Sequence, residues 1–188
     1  MKCTRRKKII LFLHPDSYLA GLPTVYSQPH GELQLKRDTL LATLTSIGME
    51  WEVSFEFKPT NYDNKDNGGY VNILHLTNGG NFQTLGDRTP AVQYHPDKGL
   101  YVATAIGSNP NFHTYIQPPP PVGQWSSIVI SQIKTGSSTI VSIKINDAAP
   151  LTRENPVPKE FSSVKVYASD PWHPAQAGSI RGLKIKTQ

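Results

Sequence analysis

From Glu32 onward the apolar residues of the chain recur at every second position, in short runs broken by Gly, Pro, Asn and Asp. Successive side chains of a strand point to opposite faces, so this spacing predicts half-buried β-strands. Trp51, Val53, Phe55 and Phe57 alternate with Glu52, Ser54 and Glu56, and Val141, Ile143 and Ile145 alternate with Ser142 and Lys144. Strands are expected near 32–36, 40–45, 51–58, 71–77, 91–95, 100–106, 112–116, 125–133, 138–146, 162–168 and 179–187. No twelve-residue window carries a helical spacing. Eleven such strands bury their alternate faces most simply as two packed sheets. The expected fold is therefore all-β: a two-sheet antiparallel β-sandwich of the jelly-roll type, one domain over 31–188 preceded by an N-terminal segment, 1–30. Trp51 and Trp125 fall on positions read as facing the core.

The connections agree with short antiparallel links. Pro96-Asp97-Lys98-Gly99 has hairpin length, and Asn146-Asp147 ends a strand with residues that tolerate positive φ. The four prolines 118–121 form a stiff polyproline segment, read as a crossover between sheets in preference to an SH3-type ligand.

The order of these elements resembles a known superfamily. Trp51–Phe57, Val71–Leu76, Ala91–Tyr94 and Gly99–Val102 are similar to the first half of a laminin G-like, concanavalin A-like jelly roll. Gly123-Gln-Trp125 leading to Ile128–Ile130, then Val141–Asn146, Val164–Tyr167 and Gly178–Ile185, are similar to its second half. Two departures stand out: Asp147 replaces the glycine common after the Asn, and the late disulfide of many laminin G modules is missing. The resemblance implies a superfamily of lectins, adhesion modules, pentraxin-like proteins and glycosidases, among which fold alone does not choose.

Charge narrows the choice of partners. The 188 residues hold 19 Lys and Arg against 14 Asp and Glu, a net charge of +5. Five of the cations (Lys2, Arg5, Arg6, Lys7, Lys8) sit in the first eight positions, so the body of the chain is neutral and nucleic acid is not an expected partner. No run reaches the ~20 apolar residues of a membrane span. Residues 1–20 open with a basic head, the apolar run Ile9–Leu13 and small residues near Ala20, which reads as a secretory signal with a short apolar core or as a basic tail. The expected location is secreted or extracellular. Cys3 is the one cysteine, so no internal disulfide forms.

Three constellations could carry chemistry. Glu52-Val-Ser-Phe-Glu56 resembles the Glu-x-Asp-x-Glu strand of retaining glucanases, but Ser54 replaces the central Asp. Positions four apart on a strand also lie ~13 Å from each other, against the ~5–5.5 Å between the carboxyls of a retaining pair. Leu85-Gly86-Asp87 looks like the placement at which calcium-binding laminin G modules carry a ligating carboxylate; Asp87 is the candidate metal ligand, with calcium the candidate cofactor, and a bond to Arg88 or a turn cap is its structural alternative. The oxygen-rich run 61–69 lacks an EF-hand pattern, since Lys65 and Leu74 stand where such a loop has acids, and reads as a polar loop. The six histidines show no close metal-ligand spacing, and His75 reads as a partly buried strand residue.

Recognition of a sugar needs planar polar groups for its hydroxyls and an aromatic face for its C–H side. Ser169-Asp170-Pro171-Trp172-His173 supplies these on one loop, making Asp170, Trp172 and His173 the candidate ligand-binding residues. Between prolines, Trp172 is either a platform or a plug closing the end of the sandwich. Lys165, Lys184 and Lys186 alternate with apolar residues and read as a basic row, guarding an edge strand or holding sulfated glycans. The expected function is non-catalytic extracellular recognition of a glycan or glycoprotein, with calcium as the candidate cofactor. The alternatives are a glycosidase using Glu52 and Glu56, or a matrix or adhesion protein without a small-ligand site.

Overall fold

The computed structural model describes residues 21–29, 31–63 and 69–188. Residues 1–20, with Cys3, the signal-like run and His14, lie outside the described residues, as do His30 and the centre of the 61–69 loop. Among the described residues there is no helix. The strands are β1 (Thr24–Ser27), β2 (Glu32–Gln34), β3 (Leu40–Ile47), β4 (Trp51–Pro59), β5 (Val71–Thr77), β6 (Ala91–His95), β7 (Gly99–Ile106), β8 (Asn109–Ile116), β9 (Ser126–Thr135), β10 (Ser138–Ile145), β11 (Leu151–Glu154), β12 (Phe161–Tyr167) and β13 (Gly178–Thr187).

They form two antiparallel sheets. One runs β1-β13-β4-β9-β10-β11, with β2 also on β13; the other runs β3-β12-β5-β6-β7-β8. Trp51, Val53, Phe55 and Phe57 from the first sheet meet Leu74, Leu76, Val92, Leu100 and Val102 from the second in one buried core. This is the expected sandwich, and all eleven expected strands form. β1 and β11 were not foreseen, because both are short edge strands in which Tyr26 is partly buried against the core and every other side chain is exposed. β1 pairs with β13, so the sheet begins inside the segment expected to precede the domain.

Local signals landed where the chain must reverse. His95 pairs with Gly99, whose φ of 86° is the left-handed conformation that the hairpin needs. Asn146 takes φ 50° after β10. The prolines 118–121 lie between β8 of one sheet and β9 of the other, and the Tyr62 hydroxyl donates to the Pro120 carbonyl at 2.7 Å.

Two expectations need correction. Trp125 does not face the core. Ser126 stands opposite Phe57 and Ile128 opposite Phe55, so the inward phase of β9 falls on even positions. Trp125 shares the outer face with Lys58 and Arg181, whose cationic groups lie 4.6 and 4.2 Å from its ring centroid. The basic row also dissolves. Lys165 is on β12 in one sheet, Lys184 and Lys186 are on β13 in the other, and neither strand is an edge. Lys186 is paired with Glu52 at 2.9 Å. Among the described residues no helix is long and apolar enough to cross a membrane.

Candidate functional site

β5 is buried on both faces along its whole length, although it has only one core to face. Its second face, with Asn72, His75 and Thr77, is roofed by two loops: residues 78–90 between β5 and β6, and residues 168–177 between β12 and β13. His75 joins them. Its Nδ1 lies 2.7 Å from Asp170 Oδ2 and its Nε2 lies 2.6 Å from the Asp87 carbonyl, so one strand residue ties one loop to the other.

Asp170 has no exposed surface. Its Oδ1 accepts the backbone N–H groups of Trp172 (3.0 Å) and His173 (2.8 Å), while its Oδ2 faces Nδ1 of both His75 and His173. Its own N–H donates to Asn72 Oδ1 at 3.0 Å. Burial works to raise the Asp170 carboxyl, but the hydrogen bonds and charge of His173 and His75 outweigh it and hold the group well below the usual carboxylate range. Asp170 is thus the support of its loop and turns no oxygen outward.

The residue it supports is Trp172. Prolines 171 and 174 stiffen the backbone on both sides, Arg37 donates twice to the Pro171 carbonyl (2.9 and 2.6 Å), and the indole rests 5.4 Å from the His75 ring. Trp172 keeps 37% of its surface exposed. His173 turns back, with Nδ1 toward Asp170 and Gln93, and leaves 17% of its side chain exposed. Of the three residues expected to touch a ligand, Trp172 is the one that reaches the surface broadly.

Trp172 forms one wall of an open groove of about 640 Å³; the rest is the loop from Asn78 to Thr84 together with Asp87. Asp87 shapes that loop. Its Oδ2 accepts the N–H groups of Gln83 and Thr84, both at 2.8 Å, and its Oδ1 accepts the Thr84 hydroxyl at 2.9 Å. Gly80 is required beside it, because a Cβ there would stand 2.3 Å from Oδ1. The result is a wall of amide and hydroxyl side chains (Asn78, Asn81, Gln83, Thr84) and the half-exposed Phe82, facing an indole. Of this wall sequence reasoning named only Asp87; the signal available was a Gly-Gly pair flanked by asparagines just before Leu85-Gly86-Asp87.

Arg88 turns away from Asp87. It crosses to the outer face of β7 and β8, where Nη1 donates to Tyr101 Oη and Asn111 Oδ1, both at 2.6 Å, while Nε holds the Asn81 carbonyl at 3.0 Å. Burial pushes its guanidinium below the ordinary value, against the opposing influence of Tyr101 and Asp170.

The residues present do not fit a calcium cage. A calcium ion takes six to eight oxygens, whereas the Asp87 oxygens are turned to three donors of their own loop, and among the described residues no group of three Asp, Glu, His or Cys side chains converges for a metal. The glutamate strand fits catalysis no better. Glu52 pairs with Lys186 at 2.9 Å, and Glu56 takes Nε and Nη2 of Arg181 at 2.7 and 2.9 Å. The Arg181 hydrogen bonds hold Glu56 below its usual value, where a glycosidase acid needs a raised one.

No protein-family model matches the chain, and no curated protein sequence does. Solved structures do. A native heptameric SAP-like pentraxin from Limulus polyphemus superposes with a TM-score of 0.51 at 15% identity, over 82% of this chain and 75% of that one. The CBM40 of a Ruminococcus gnavus IT-sialidase, bound to α2,3-sialyllactose, gives 0.49 at 12% identity over 81% and 90%. Lectin II from Ulex europaeus gives 0.44 at 12% over 83% and 86%. At such identities the likeness is one of fold alone, the two-sheet antiparallel jelly-roll sandwich that the strand pattern predicts.

Proposed function

We propose that this domain is a non-catalytic recognition module that seats a glycan, free or on a glycoprotein, in the groove between Trp172 and the 78–84 loop. The observation that carries the reading is the pairing of a partly exposed, rigidly held indole with a facing wall of planar amides and hydroxyls. An aromatic face suits the C–H side of a sugar ring, and Asn and Gln offer donor and acceptor side by side to its hydroxyls. The seat is preformed: Asp170, His75 and Asp87 fix both walls through hydrogen bonds that need no ligand, which lowers the ordering cost of binding. Recognition runs without calcium, since Asp87 serves the loop. Work outside the cell belongs to the same proposal and rests on the sequence of residues 1–20; cell fractionation tests it.

The test is a glycan array with calcium and with chelator, followed by titration of Trp172→Ala. The variant should lose binding by at least ~10-fold and lose less stability than the ~3–5 kcal/mol of a fully buried tryptophan. Unchanged binding by Trp172→Ala, or an array without hits, would overturn the proposal.

A further inference from the structure

Arg88 is a buried cation without an anion. It is 5% exposed, and no carboxylate lies within ion-pair distance among the described residues. Taking a charge from water is costly unless an opposite charge or a full set of hydrogen bonds replaces the solvent. Here the replacement is incomplete. A guanidinium has five N–H donors; Nε and Nη1 hold the three bonds given above, and Nη2 has one long bond of 3.3 Å to Asn81 Oδ1. Two aromatic faces complete the surroundings, Phe82 at 5.5 Å and Tyr101 at 5.4 Å. The loosely held nitrogen is the one that points to Asn81, and Asn81 and Phe82 are both walls of the groove.

We infer that Arg88 is the anion subsite of the groove, and that the glycan it takes carries an acidic substituent, a carboxylate or a sulfate, beside the ring that stacks on Trp172. This rests on the groove being a glycan seat. The Asn81 side chain is the gate: rotation of its amide releases Nη2 to a ligand oxygen, while Asn81 O, Tyr101 and Asn111 keep the rest of the fork in place. The acid described in the groove wall, Asp87, has its oxygens turned to the N–H groups of Gln83 and Thr84 and the Thr84 hydroxyl, so it competes for none of the Arg88 donors. A charge-assisted bond formed there is stronger than the neutral bond it replaces.

The experiment uses matched ligands on the unaltered protein: a galacturonate trisaccharide, its neutral methyl ester, and a sulfated neutral trisaccharide, each titrated at low and high salt. At least one acidic ligand should bind ~10-fold or more tightly than the ester, with the advantage shrinking as salt rises. Arg88→Gln should level acid and ester; if that variant does not fold, the comparison on the unaltered protein decides alone. Equal binding of ester and both acids would overturn the inference and leave the glycan seat standing. An acid preference that survives in a folded Arg88→Gln protein would also overturn it. Failure of all three ligands, with an array lacking hits, would remove the glycan seat and this inference with it.

Discussion

Replacing Asp170 by Ala should be among the most damaging single changes outside the apolar core. The carboxylate accepts from four groups, and Ala removes all four acceptor positions at once: the N–H groups of Trp172 and His173 and the Nδ1 atoms of His75 and His173. His75 has no exposed surface, so water does not replace the lost partner. A buried polar group left unpaired costs about 1–3 kcal/mol, and removing one member of a buried charged pair costs about 3–5 kcal/mol. A loss near the second range, ~3–5 kcal/mol, is expected, equivalent to a fall in Tm of roughly 6–20 °C for a domain of this size. Asp170→Asn should fall between. Its amide oxygen keeps the two backbone bonds, and its NH2 offers each imidazole a donor where an acceptor stood. Acidity supplies an internal control. The Asp170 carboxyl is depressed in the folded state, so its contribution is complete above the unfolded aspartate value of about 3.9 and drains away as pH falls below that toward the folded value. The gap between the unaltered protein and Asp170→Asn, measured by urea unfolding, should narrow as pH falls below about 4. A Tm for Asp170→Ala within about 2 °C of the unaltered protein would refute the reasoning, because the carboxylate would then not be what holds the two loops to β5.

Two further outcomes follow from the same structure. Trp51→Ala should cost ~3–5 kcal/mol in denaturant unfolding, as expected for a large side chain that is 1% exposed; a neutral effect would mean that the inner and outer phases of β4 are reversed. Calcium added to a metal-free sample should leave Tm unchanged, since an ion that bound the native state would raise it. A rise that Asp87→Asn abolishes would place a calcium ion on the loop and remove the reading of Asp87 as its brace.

The period-two pattern made the sandwich legible because alternation is recorded wherever one face of a strand is buried and the other is wet. It failed at β1 and β11, Thr24–Ser27 and Leu151–Glu154, where nearly every side chain is exposed and pairing comes from backbone bonds that leave no mark on composition. It also misplaced Trp125, whose neighbours Ser126 and Ser127 give no phase: Ser126 is buried and Ser127 exposed, and the register with β4 decides which way the indole points.

The site was legible in its chemistry and not in its geometry, and the difference is a matter of range. That Trp172 would be held stiffly was local information, written in the prolines on either side. The role of Asp170 depends on His75, 95 positions earlier, and that of Asp87 on which way four consecutive backbone units turn. The loop sequence alone therefore assigns Asp170 to a ligand, because a carboxylate beside an aromatic suits the hydroxyls and the C–H face of a sugar. Burial reverses the inference. Once a carboxylate is fully enclosed, every oxygen lone pair must be given to a neighbour, and its value to recognition becomes the fixed position of the side chain that it holds. Arg88 is the complementary case. It too is enclosed, yet its bonds leave the charge without a counterion, and it stands behind the same groove wall. Of the enclosed charges around the groove, Asp170 and Asp87 are satisfied and shape the seat; Arg88 is unsatisfied and is where a ligand has charge to offer.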